Sequence, residues 1–224
     1  MSYLRKIAGA SLVSLAFASG AASAAPIVLD FEGVGNLASV NDFYNGGTDS
    51  AGNSGANYGI NFSGTSLAII DADAGGSGNF GNEPSPSTIL FFQSGGAATM
   101  NVAAGFDTGF SFYYTASQGG FVNVYDGLNG TGNLLASLDL AANIGNCSGD
   151  PSGTFCTFSP IGVSFAGIAH SVDFGGAANF IGFDNITLGA SNPGNPGEVP
   201  EPATLALAAL GLAAMRASRR KTGK

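Results

Sequence analysis

The side chains of this chain best suited to metal binding or acid–base work are fifteen carboxylates, two cysteines (Cys147 and Cys156) and a single histidine, His170. A nucleophile–histidine–acid arrangement would have to use His170, which lies in a strand-like run with no Gly-x-Ser-x-Gly elbow before it. A lone histidine in a strand reads as structural, and no catalytic residue is assigned. Two thiols and one imidazole also fall short of the four ligands that structural zinc takes. The carboxylates leave many pairings open for glycoside cleavage, but such sites need an acid of raised pKa in an aromatic-lined cleft, and the chain has no Trp.

The charges are unevenly placed. All seven basic residues lie near the two ends, so residues 25–198 contain no Lys or Arg while holding fourteen of the fifteen acids. A domain without cations repels phosphate backbones, which excludes nucleic acid as a partner. It also lacks every Lys or Arg salt bridge, so its carboxylates must be satisfied by backbone donors, water or divalent cations.

The ends read as membrane handles. Arg5 and Lys6 precede an apolar stretch, Ile7 to Phe17, and then Ala22-Ser23-Ala24, which predicts a signal peptide over 1–24 cleaved by signal peptidase between Ala24 and Ala25. At the other end, Val199-Pro200-Glu201-Pro202 is followed by an Ala/Leu run, Ala203 to Met215, and by Arg216, Arg219, Arg220 and Lys221. That run is apolar all round, which predicts a short membrane-inserted helix with the basic residues as a cytoplasmic stop. Thirteen helical residues reach about 20 Å against a hydrocarbon core of about 30 Å, a depth suited to a temporary anchor. An exported chain meets an oxidising compartment, and the eight residues between Cys147 and Cys156 include Asp150-Pro151-Ser152-Gly153. A hairpin disulfide worth ~2–3 kcal/mol is the expected outcome.

Between the ends, Phe, Ile, Val and Leu alternate in short runs separated by Gly and Asn clusters. Strands are predicted over 27–32, 59–63, 66–71, 87–93, 97–103, 110–115, 121–125, 134–140, 155–165, 168–174 and 179–188, with no helical period. The fold class that follows is all-β: an antiparallel two-sheet β-sandwich, jelly-roll-like, over 25–188. Asp126-Gly127 and Asn129-Gly130 supply residues that tolerate positive φ for the reversal after 121–125. Asn45 to Asn57 reads as a surface loop or flap, residues 189–198 as a Gly/Pro/Asn linker, and 199–224 as a sorting tail.

Several segments carry a resemblance. Tyr44-Asn45-Gly46-Gly47, Tyr58-Gly59-Ile60-Asn61-Phe62, Phe110-Ser111-Phe112-Tyr113-Tyr114, Val124-Tyr125-Asp126-Gly127 and Ile181-Gly182-Phe183-Asp184-Asn185-Ile186-Thr187 resemble, in that order, the β-sandwich domain common in PEP-CTERM proteins. The Pro200-Glu201-Pro202 tail resembles their sorting signal. The resemblance implies an exported protein of a Gram-negative bacterium, held briefly in the inner membrane until an exosortase-type membrane protease processes the tail. It makes this chain a substrate of that protease, with the cell surface or extracellular matrix as destination.

For the domain, two roles follow. One is a structural or interaction role in exopolysaccharide or biofilm, where divalent ions bridge an acidic surface to anionic polymer. The other is a carbohydrate-binding module with Tyr44, Tyr58, Tyr113, Tyr114 or Tyr125 stacked on sugar rings. By analogy with jelly-roll carbohydrate-binding modules, a structural Ca²⁺ between the terminal strands would use Glu32, in Leu29-Asp30-Phe31-Glu32-Gly33, and Asp184. The apolar parity switches from Ile181 and Phe183 to Ile186 and Leu188, which predicts a bulge at Asp184-Asn185; a capping Asp at that irregularity is the alternative to a metal ligand. Asp71 to Gly76 lacks the acid a calcium loop needs at its twelfth position, Asn82, and reads as a solvated turn.

Overall fold

The computed structural model describes residues 25–145, 147 and 154–194. Among them are eleven strands and no helix: β1 (Ile27–Leu29), β2 (Ile60–Phe62), β3 (Ser66–Ile70), β4 (Thr88–Phe92), β5 (Ala97–Phe106), β6 (Gly109–Ala116), β7 (Gly120–Tyr125), β8 (Leu134–Leu140), β9 (Ser159–Ser164), β10 (Ala169–Gly176) and β11 (Ile181–Leu188). Each overlaps a predicted interval, and β5, β6, β7 and β10 extend beyond theirs, β5 to Phe106 rather than 103. The largest departure is β9, which begins at Ser159 rather than 155 because the backbone N–H groups of Thr154 and Phe155 are held instead by the Asn79 carbonyl.

Every strand pairing is antiparallel. One sheet runs β3-β4-β11-β6-β9 with β1 also on β11; the other runs β2-β5-β10-β7-β8. β11 is buried along its whole length. On one side it pairs with β6, and on the other it is shared between β4, at Gly182 and Phe183, and β1, at Ile186 to Leu188. The expected bulge is present: register with β6 shifts between Asp184 and Thr187, and Asn185 adopts φ 45°. The extra residue lets Ile181, Phe183, Ile186 and Leu188 all reach the core.

Alternation fixes what lies between the sheets. Phe110, Phe112 and Phe183 from the first sheet meet Phe174 from the second, with ring centroids 5.0 Å apart for Phe174 and Phe183 and 5.5 Å for Phe112 and Phe183. These edge-to-face contacts add to the burial of four large apolar side chains. Of the two pairs expected to supply positive φ between β7 and β8, Asn129 (φ 58°) and Gly130 (φ 66°) do so and Asp126-Gly127 does not, Gly132 (φ 86°) serving as well.

The segment expected as a free linker is partly docked. The Ala190 carbonyl accepts from Ser111 Oγ at 2.9 Å, and Gly194 N–H donates to Thr187 Oγ1 at 3.0 Å, so residues 189–194 lie on the sandwich. The signal segment 1–24, residues 195–198 and the sorting tail 199–224 fall outside the described residues. Among the described residues no helix is long and apolar enough to cross a membrane.

Phe174 joins the two sheets through three phenylalanines, so Phe174→Ala is expected to lower stability by about 3–5 kcal/mol in denaturant unfolding; a loss below 1 kcal/mol would show that the sheets are held elsewhere.

Candidate functional site

The terminal strands and the segment leading into β4 bring together the polar cluster of greatest chemical interest. After β1 the chain turns at Phe31, which is buried at φ 60°, a costly conformation for an aromatic residue. Its amide donates to the Tyr44 hydroxyl at 2.8 Å, and Tyr44 stacks on Tyr58. Glu32 then accepts from the amides of Ser87 (2.9 Å) and Thr88 (2.8 Å) and from the Ser87 hydroxyl (3.1 Å). Asp184, fully buried at the β11 bulge, accepts from the Ser85 amide (2.9 Å), the Ser85 hydroxyl (2.7 Å) and the Asn185 amide. Two carboxylates, one in the turn after β1 and one in β11, thus pin residues 85–88.

Glu32 and Asp184 both reach the 85–88 segment, but each is satisfied by protein N–H and O–H donors. No group of three or more His, Cys, Asp or Glu among the described residues is disposed to hold a metal. The contacts of Asp184 are those of the capping alternative. Asn185 enters with the predicted bulge, whereas Ser85 is marked in the sequence only by the Pro84-Ser85-Pro86 punctuation.

Burial raises the Asp184 pKa to about 7, with the charge of Glu32 adding to it, against the donors from Ser85 and Asn185. The proton has a place in the geometry. The Ser85 hydroxyl, with one hydrogen, lies within 3.2 Å of the Asp30 carbonyl and within 2.8 Å of both Asp184 oxygens. A neutral Asp184 can donate to Ser85, which in turn donates to Asp30. Burial raises Asp30 as well, and raises Tyr44, the latter also through the charge of Asp30.

Elsewhere the carboxylates are likewise satisfied by neutral donors. Burial alone would raise Asp49, but the amides of Gly35, Asn53 and Ala51 and the Asn53 side chain outweigh it and lower its pKa. The Asn45 to Asn57 loop is organised around that one side chain. Asp126 is lowered by the amide and side chain of Asn133. Asp71 begins a turn whose Ala72 to Ala74 are exposed, as expected of that segment. His170 Nδ1 lies 3.2 Å from the Val102 carbonyl on the neighbouring strand, a structural contact.

The tyrosines divide. Tyr44 and Tyr114 are buried and cannot stack on a sugar, because their strand or loop positions face the core; Tyr58 is 43% exposed, and Tyr113 and Tyr125 are half-buried. Cys147 and Cys156 form the expected disulfide, with Cα atoms 5.1 Å apart. Ala22 and Ala24, Val199 to Pro202, and Arg216, Arg219, Arg220 and Lys221 all lie outside the described residues; Ala25 is the first described and is exposed.

What the tail is can be read directly. Residues 198–221 match the PEP-CTERM protein-sorting motif. The PEP-CTERM motif is the recognition signal of exosortases and marks an exported protein transiently anchored through its C-terminus. No curated protein matches the chain. Among solved structures the chain is similar to a glycoside hydrolase family 43 arabinoxylan arabinofuranohydrolase from Bacillus subtilis in complex with cellotetraose, at 16% identity and a TM-score of 0.35, over 63% of this chain and 30% of that one. A likeness of that extent assigns neither substrate nor chemistry here.

Asp184 favours its proton in the folded state, so its contribution to stability is complete below the ordinary carboxylate range and is lost as pH rises through about 7. Melting at pH 5 is expected to exceed melting at pH 8 by roughly 2 kcal/mol, or about 5 °C, and Asp184→Asn should flatten the difference. Asp30, Glu32 and Tyr44 face the same region, so a slope that survives in the variant would move the effect to Asp30.

Proposed function

We propose that this chain is an exported protein, sorted through its C-terminal motif by an exosortase, whose sandwich serves as a non-catalytic interaction module at the cell surface or in extracellular polymer. The observation that carries the reading is the motif at 198–221. The body supports it: the interleaved orders β4-β11-β6-β9 and β5-β10-β7-β8 are those of a jelly roll, a scaffold that displays broad sheet faces. The domain carries no Lys or Arg between 25 and 198, so it suits divalent-bridged association with anionic exopolysaccharide and no association with nucleic acid.

A carbohydrate-binding role for the same domain is favoured by a depression on the outer face of the first sheet, lined by Phe80, Phe91, Phe155 and Thr115. For hydrolysis the acids are poorly placed: Asp30, Glu32 and Asp184 gather inside the fold, with Asp184 fully buried. The calcium ion once expected at Glu32 and Asp184 becomes a melting experiment, in which added Ca²⁺ leaves the transition where it was.

Intact mass of the protein recovered from its host should begin at Ala25, end within or before the tail and lack two hydrogens for the disulfide. Replacing Pro200, Glu201 and Pro202 together by Ala should leave the mass extending to Lys224 and the protein in the inner-membrane fraction. Release of the wild-type triple-Ala pair at equal rates would refute exosortase sorting.

A further inference from the structure

The outer face of the first sheet is apolar where a solvent-facing sheet would ordinarily be polar. Register places Leu67, Phe91, Gly182 and Thr115 side by side in one row, with Ile69 opposite Ile89 in the next. Phe80 and Phe155, brought together by an isolated bridge, form a wall over that face. Between wall and sheet is a depression of about 50 Å³.

Its floor depends on Gly182. A Cβ there would lie 2.6 Å from Ile89 Cδ1 and 3.3 Å from Thr115 Cγ2, so any larger residue would intrude on the space. Thr115 is 1% exposed, lines the depression, and its hydroxyl has no hydrogen-bond partner. An unpaired buried hydroxyl is costly, and a ligand that supplies an acceptor recovers that cost.

The lining narrows what the acceptor belongs to. Water at the floor needs two to four polar partners, but beyond Thr115 the only polar side chains lining the depression are Asn79 and Asn179, both exposed. A carboxylate would find no Lys or Arg anywhere in residues 25–198. The space admits roughly three or four atoms of water size. An acetyl group has that size, with a methyl for the phenylalanines and a carbonyl oxygen to accept from Thr115.

We infer that this depression binds the acetyl substituent of an acetylated sugar, an inference that rests on the polysaccharide-associated reading above. The disulfide then has a part in the site. Phe155 precedes Cys156, which is bonded to Cys147, and the Cys156 carbonyl accepts from Asn82 Nδ2 at 3.3 Å, so the wall is tied at both ends of its bridge with Phe80.

The test is an NMR titration of the secreted protein with N-acetylglucosamine and 6-O-acetylglucose, with glucose as control. The expected result is millimolar binding of the acetylated sugars, with amide shifts at Thr115, Gly182 and Phe155 and none from glucose. Thr115→Val keeps the shape and removes the hydroxyl; it should weaken binding about tenfold while raising Tm, a combination that a purely structural threonine would not give. Equal shifts from glucose, unchanged affinity in Thr115→Val, or no shifts from either acetylated sugar would overturn the assignment. Acetyl-sugar binding by a protein that the host's own exopolysaccharide fails to retain would instead overturn the matrix role and leave the pocket standing.

Discussion

The absence of cations from the exported domain governs how its polar interior is built. A buried carboxylate is ordinarily stabilised by Lys or Arg, and here neither exists between residues 25 and 198. Each acid must therefore gather N–H and O–H donors, and donors are most densely available from backbone that is not spent on sheet ladders. Asp49 collects the amides of Gly35, Ala51 and Asn53; Glu32 collects those of Ser87 and Thr88; Asp184 collects those of Ser85 and Asn185. The same contacts shape the loops. A Gly- and Asn-rich segment such as 45–57 would carry little order of its own, and it is Asp49 that gives it one geometry.

The limit of this solution shows at Asp184. Its side chain is fully buried, its donors are neutral and few, and the charge of Glu32 opposes ionisation, so the carboxyl keeps its proton to about pH 7. Four neutral donors outweigh burial at Asp49, whereas the Ser85 amide and hydroxyl and the Asn185 amide do not at Asp184. The β11 bulge forces that placement, since the extra residue that returns Ile186 and Leu188 to the core leaves Asp184 and Asn185 buried without a strand position facing water.

Strand positions, the sandwich and the bulge were legible because alternation of Phe, Val and Ile reports directly which side of a strand meets the core. Cys147 and Cys156 were legible through spacing and compartment. The polar cluster was legible only in part: Glu32 and Asp184 stood out as acids at the ends of the domain, but nothing local marks Ser85 as the partner of Asp184, ninety-nine residues later, or Ser87 and Thr88 as those of Glu32. Tyr44 and Tyr58 look alike in sequence, and only the turn at Phe31 makes one a buried acceptor and the other a surface ring. The apolar outer face of the first sheet was hidden for a related reason. Ile69, Ile89 and Phe91 lie in strands whose apolar residues run together without polar alternation, and the wall that partly covers them comes from Phe80, outside every predicted strand, and Phe155, in the part of 155–165 that forms no strand.

The two halves of the chain's charge are complementary in a further respect. Orientation at a membrane is set by Lys and Arg near the apolar segment, and cations on the wrong side compete with the stop. Because the domain and the docked stretch 189–194 contribute none, Arg216, Arg219, Arg220 and Lys221 face no rival within the exported part. The constraint that obliges buried acids to find neutral donors thus has a counterpart at the ends of the chain, where all seven of its basic residues are gathered.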